Sequence, residues 1–163
     1  MHEWRVAGAV VEADGHLLLV RNRRRNGRHD WSPPGGVIEL EGGESVLDGL
    51  AREVLEETGL SIRSWGPRLY EVEATAPGLG WVMRAEVWLA GDVEGVLAPD
   101  DPDGIVVEAG YVALAECAER LAEAHDWVRE PLVDWLTQRW DDERTYRYHV
   151  EGTVPGRARI TRR

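Results

Sequence analysis

Gly35-Gly36-Val37-Ile38-Glu39-Leu40-Glu41-Gly42-Gly43-Glu44, followed after seven residues by Arg52-Glu53-Val54-Leu55-Glu56-Glu57-Thr58-Gly59-Leu60, is the stretch on which the reading of this chain turns. Its second half predicts a helix over residues 45–58. Ser45 is a good N-cap, with Asp48 three residues on as an approximate capping box. Gly59 stands where a C′ glycine belongs. Leu47, Leu50, Ala51, Val54 and Thr58 fall on one face at helical spacing. Glu53, Glu56 and Glu57, at i, i+3 and i+4, share another face within about a turn. Gly49 lies one turn earlier on that face and leaves it bare, at up to about 1 kcal/mol relative to Ala.

Three clustered carboxylates repel and raise one another's pKa unless a cation sits among them. A hard divalent ion with oxygen ligands is the natural remedy, and Mg²⁺ is typically held by a few carboxylates, waters and substrate phosphates. Taken without its surroundings, the same ridge reads first as a solvated acidic helix face.

The surroundings of the ridge are those of an ordinary globular domain. The chain has 163 residues, 43% hydrophobic and 30% charged, which suits one domain with a sizeable core. No apolar run approaches the roughly 20 residues of a membrane helix, and the polar start Met1–Arg5 does not read as a signal peptide. The net charge of −11 argues against a nucleic-acid polymer as partner. All 19 basic residues are Arg, so any phosphate clamp uses guanidinium groups. Cys117 is the single cysteine, which excludes an internal disulfide and a thiolate zinc site and fits a cytoplasmic location.

Around the ridge, residues 4–13 and 16–20 read as strands joined by the Asp14-Gly15 hairpin signal, and residues 22–30 as a polar, arginine-rich loop. Residues 68–76, 81–90, 105–112 and 146–150 read as further strands, and 91–104 as an acidic loop. Residues 114–124 and 130–140 read as helices, with Pro131 in the first turn of the second. Strands mixed with helices imply an α/β or α+β domain over residues 1–140. Residues 141–163 would then supply one strand and a mobile basic tail, a candidate contact for a second copy of the chain as a homodimer.

The stretch from Gly36 to Leu60 resembles the Nudix box: a glycine, a spacer, a glutamate, seven residues, then Arg-Glu-apolar-any-Glu-Glu-any-Gly-apolar. From Glu44 to Leu60 every specified position agrees. The spacer departs from the family pattern, with seven residues between Gly36 and Glu44 where five are expected; Gly42-Gly43 can absorb the extra two. The resemblance implies the Nudix fold, a mixed β-sheet between α-helices, and hydrolysis of a diphosphate linkage in a nucleoside diphosphate derivative. Candidates are a nucleoside triphosphate, oxidised or not, ADP-ribose and a dinucleoside polyphosphate. It implies Mg²⁺ (or Mn²⁺) on Glu53, Glu56 and Glu57, with the carbonyl of Gly36 or Gly35 completing a shell, and Arg52 paired with Glu44 to lock loop to helix. A catalytically idle, nucleotide-binding sensor module is the alternative; degenerate box acids would favour it, and they are not degenerate.

Beyond the box, Glu108 is the candidate general base, because it precedes what looks like the family's strand-to-helix junction; Asp100, Asp101, Asp103 and the box glutamates are alternatives. Arg21, Arg23, Arg24, Arg25 and Arg28 form a dense cluster, of which Arg21, Arg23 and Arg28 are candidate phosphate contacts. Trp4 and Trp81 are candidate stacking partners for a base, while Trp31, Trp88 and Trp135 read as core.

Overall fold

A computed structural model describes residues 1–163. In chain order the elements are β1 (His2–Val10), β2 (Glu12–Ala13), β3 (His16–Arg23), β4 (His29–Ser32), β5 (Gly35–Val37), α1 (Val46–Thr58), β6 (Leu60–Ile62), β7 (Trp65–Ala76), β8 (Trp81–Ala90), β9 (Val93–Gly95), β10 (Val106–Ala113), α2 (Cys117–Arg120), α3 (Asp126–Gln138), β11 (Arg144–Glu151) and β12 (Arg159–Arg162). A six-stranded mixed sheet runs β12-β11-β7-β8-β1-β5. In it β1 lies parallel to β8 and β11 parallel to β7, and the other pairs are antiparallel. A second sheet, β10-β3-β2 with β4 also on β3, packs beside it, and β6 pairs with β9.

Alternation along β1 and β3 explains why the sheets are covered on both faces. Val10, Leu17 and Leu19 enter a core with Val72, Tyr70, Tyr146 and Tyr148, roofed by Leu132 and Trp135 of α3. Ala7, Ala9, Val11 and Leu18 point the other way, onto Leu50 and Val54 of α1. The result is the expected mixed sheet between helices.

The local signals explain the element ends. Ser45 Oγ accepts from the Asp48 amide at 3.1 Å, and Gly59 closes α1 in the left-handed region at φ 82°. Asp14 and Gly15 take φ of 51° and 76°, the turn their hairpin requires.

Four expectations are corrected. Residues 22–30 are a second hairpin, β3–β4, with only residues 24–28 as its tip. The helix expected over 114–124 is a 3-10 turn, Leu114–Glu116, running into the short α2, after which residues 121–124 turn into α3, with Cys117, Leu121 and Ala124 all buried. Helix α3 starts at Asp126, so Pro131 lies in its second turn, where it offers no N–H to the Trp127 carbonyl. The tail expected to be mobile returns as β12, antiparallel on β11, with Ile160 against the larger core.

Candidate active site

The carboxylate ridge of α1 meets the edge strand β5, and two glycines let it approach. The Gly35 amide donates to Glu57 Oε2 at 3.0 Å. A Cβ on Gly35 would stand 2.0 Å from the Ala7 carbonyl oxygen, and one on Gly36 would stand 3.1 Å from the Glu53 carboxyl carbon. At Gly35 only bare backbone fits against β1, while at Gly36 a Cβ would press on the movable carboxylate end of Glu53.

The four acids of the box are held differently. Arg52 grips Glu44 with two bonds, Nε to Oε2 at 2.9 Å and Nη2 to Oε1 at 3.1 Å. Its remaining Nη1 lies 3.3 Å from Glu53 Oε1 and 3.4 Å from Glu56 Oε2. The guanidinium thus supplies the positive charge between Glu53 and Glu56. Glu57 is 7% exposed and has no cationic partner. No three acidic side chains converge on a single point.

The electrostatics follow from these contacts. Burial pushes Glu57 up to about 8, against the Gly35 hydrogen bond and helped by the charges of Glu53, Asp101 and Glu56. Burial also raises Glu53, opposed by Arg52 and reinforced by Glu56 and Asp103. The hydrogen bond from Arg52 holds Glu44 below the usual carboxylate range. A buried carboxyl that resists ionisation, among other hard oxygen donors and beside bare glycine backbone, fits a divalent cation such as Mg²⁺ or Mn²⁺.

The ridge opens on a cavity of about 590 Å³, a size suited to a small-molecule ligand. Glu53, Glu57, Arg52, Gly35 and Gly36 line one part of it; Val6, Val72, Met83, Ala85 and Trp127 line another. Asp101 and Asp103 also line it. Asp101 is spent on its own loop, accepting from the amides of Asp103, Ile105 and Val106. The Asp103 carboxylate accepts no hydrogen bond from the protein.

Several expected site residues lie elsewhere. The β10–β3 register sets Glu108 beside Arg21, 3.3 Å from its Nε, with 52% of its side chain exposed, so it does not line the cavity. That pairing also occupies Arg21. Arg28 reaches out to Glu123 and Arg23 is exposed, so none of Arg21, Arg23 and Arg28 lines the cavity. Of the arginine cluster only Arg24 does, clamped on Asp30. Trp4 packs edge-on to His2 and is 42% exposed; it shares a face of β1 with Val6 and is in register with Met83, at the border of the lining residues. The sequence did not single out Asn22, which lay in the expected 22–30 loop, or Ser32 and Trp127, which fell outside any expected element. The alternation of the expected 16–20 strand, carried on through Arg21 to Asn22, was the available signal for the first.

The profile of the NUDIX domain matches residues 1–157. The chain belongs to the NUDIX family. Its Nudix box is the glycine-flanked ridge just described. A MutT-like protein of Streptomyces ambofaciens is 50% identical over 62 residues, 38% of this chain and 37% of the relative. The human m7GpppN-mRNA hydrolase NUDT17 is 39% identical over 82 residues, 47% of this chain and 24% of the relative. The matches thus span well under two thirds of these relatives. The solution structure of the E. coli ORF135 protein shares the fold, with a TM-score of 0.69 at 23% identity over 87% of this chain and 96% of that one.

Proposed function

We propose that the chain is a metal-dependent Nudix hydrolase that cuts a diphosphate linkage in a nucleoside diphosphate derivative. The observation that carries this reading is Glu57: a buried carboxylate with no cationic partner, facing a cavity of ligand size across a glycine edge. A family of hydrolases that includes MutT-like proteins and an mRNA-cap hydrolase supports the same chemistry.

Glu53, Glu56 and Glu57, with the backbone of Gly35 or Gly36, would hold Mg²⁺ or Mn²⁺. When bound, the ions supply positive charge against the charge developing on the diphosphate oxygens. Arg52 keeps Glu44 and so holds the loop before α1 against the helix. Asp103, facing the cavity with a free carboxylate, takes the proton of the attacking water in place of Glu108. The water oxygen bonds to phosphorus, the bridging P–O bond breaks, and the leaving phosphate carries away the electron pair. No helix is long and apolar enough to cross a membrane, and we place the reaction in the cytoplasm.

The test is a panel of nucleoside triphosphates, ADP-ribose and dinucleoside polyphosphates with Mg²⁺, followed by product release. Turnover of at least one compound that EDTA abolishes is expected. Tight binding without turnover across the panel would favour the sensor module.

A further inference from the structure

The loop between β9 and β10, residues 96–105, is laid across the end of α1. The last carbonyls of a helix have no partner within it, and this loop takes two of those of α1. The Ala98 amide donates to the Thr58 oxygen at 2.9 Å, and the Asp100 amide to that of Glu56 at 3.1 Å. The approach is close, since a Cβ on Gly59 would stand 2.8 Å from the Ala98 nitrogen. Beyond Asp100 the chain leaves the helix. Its far end is tied to β3, where the Arg23 amide donates to the Ile105 carbonyl at 2.8 Å.

Between these anchors one side chain gathers the backbone. Asp101 Oδ1 accepts from the Asp103 amide at 3.1 Å, and Oδ2 accepts from the amides of Ile105 at 3.0 Å and Val106 at 2.9 Å. The Gly104 amide donates to the Asp101 carbonyl at 3.0 Å, closing a turn with Pro102 at its second position. The three side-chain bonds go to an ionised acceptor and are of the stronger kind. They also need both oxygens. An amide side chain has one acceptor, and its NH₂ would face a backbone N–H whichever way it lay.

Asp103 stands at the third position of this turn, exposed, and lines the cavity with Glu53 and Glu57. No protein donor holds its carboxylate, so the backbone of the turn decides where that carboxylate stands. A reacting group displaced by about 1 Å loses much of its effect. We infer that Asp101 is a positioning residue: through the amides of Asp103, Ile105 and Val106 it fixes the turn that presents the Asp103 carboxylate to the cavity. The inference rests on the hydrolase reading, with Asp103 as base, for its kinetic arm alone.

Asp101→Asn removes one acceptor, and Asp101→Glu keeps the charge but moves the carboxylate out by one methylene. Each is made alone and together with Asp103→Asn. Amide exchange is followed residue by residue by NMR, and kcat and KM are measured with Mg²⁺ on a substrate that the wild-type chain turns over. In both single variants the amides of Asp103, Ile105 and Val106 should exchange about tenfold faster or more, while those of Ala98 and Asp100 keep the wild-type rate. A fall in kcat of about tenfold or more is expected, with KM within about twofold. Added to Asp103→Asn, either change should lower kcat by less than about twofold, because the group it places is gone. Losses that multiply in the double variants, unchanged exchange at the three amides, or wild-type kinetics in Asp101→Glu overturn the inference. Should one variant not fold, the other decides. A chain without turnover, or one whose kcat survives Asp103→Asn, counts against the hydrolase reading or its base, and the exchange rates then decide whether Asp101 holds the turn.

Discussion

The Gly35 amide and the Glu57 carboxylate meet at 3.0 Å, tying the edge strand of the large sheet to the acidic face of α1. This one bond orients a buried carboxylate that burial pushes up to about 8. It depends on backbone that no side chain encumbers.

The two glycines separate stability from activity. Gly35→Ala puts a Cβ against the Ala7 carbonyl, where β1 cannot give way. A loss of about 2 kcal/mol or more is expected, read by urea denaturation. At Gly36 the obstructed atoms belong to the Glu53 carboxylate, the end of a flexible side chain. Gly36→Ala should leave the denaturation midpoint close to wild type and still lower kcat/KM by about tenfold or more.

Arg52 acts through geometry as well as charge. Its fork gives Glu44 two bonds and leaves Nη1 to Glu53 and Glu56. Arg52→Lys keeps the charge and loses the fork. Activity in Arg52→Lys should therefore fall about as far as in Arg52→Gln, on the order of 10- to 100-fold. A lysine variant with wild-type kcat/KM would reduce Arg52 to a simple counter-charge.

Much of this site was legible in the sequence, because a helix repeats. The i, i+3, i+4 spacing of Glu53, Glu56 and Glu57, the Ser45 cap and the Gly59 stop all act within one or two turns, and the structure reproduces each end of α1. The resemblance to the Nudix box added the Arg52–Glu44 pair, which the structure forms. What escaped was set by pairing between distant segments. Glu108 turned on the β10–β3 register, which sets it on Arg21 instead of the cavity. Trp127 turned on α3 beginning four residues earlier than the residues suggested, and Asn22 on β3 continuing into a segment whose polarity reads as loop. No local periodicity encodes these.

The proposed general base, Asp103, sits in the loop before β10. Asp103→Asn should lower kcat by about 100-fold with little change in KM, in line with the loss of a general base. Glu108→Gln, which alters an exposed ion pair with Arg21, should leave both within about twofold. Kinetics of the two variants side by side check the assignment.

His125 gives a pH dependence separate from the acidic ridge. Loss of water from the ring face stacked on Trp127, with the positive charge of Arg24, lowers the pKa of this otherwise exposed histidine below the ordinary 6.5, while Asp30 and Asp126 oppose the shift. The folded state thus favours the neutral ring. Its contribution to stability is present above the unfolded pKa and is lost as pH falls through the folded value. Between about pH 7.5 and 5 the wild-type Tm should fall more steeply than that of His125→Gln. Parallel melting curves across that range would remove His125 from the account.

The central claim, that the α1 ridge with its glycine edge cradles divalent cations, is tested most directly by titrating the protein with Mn²⁺ and following the free-ion signal by electron paramagnetic resonance. The wild-type chain should take up Mn²⁺, and Glu57→Gln should bind it at least about tenfold more weakly while keeping its fold. Equal uptake by both proteins, or no uptake by either, would contradict the claim.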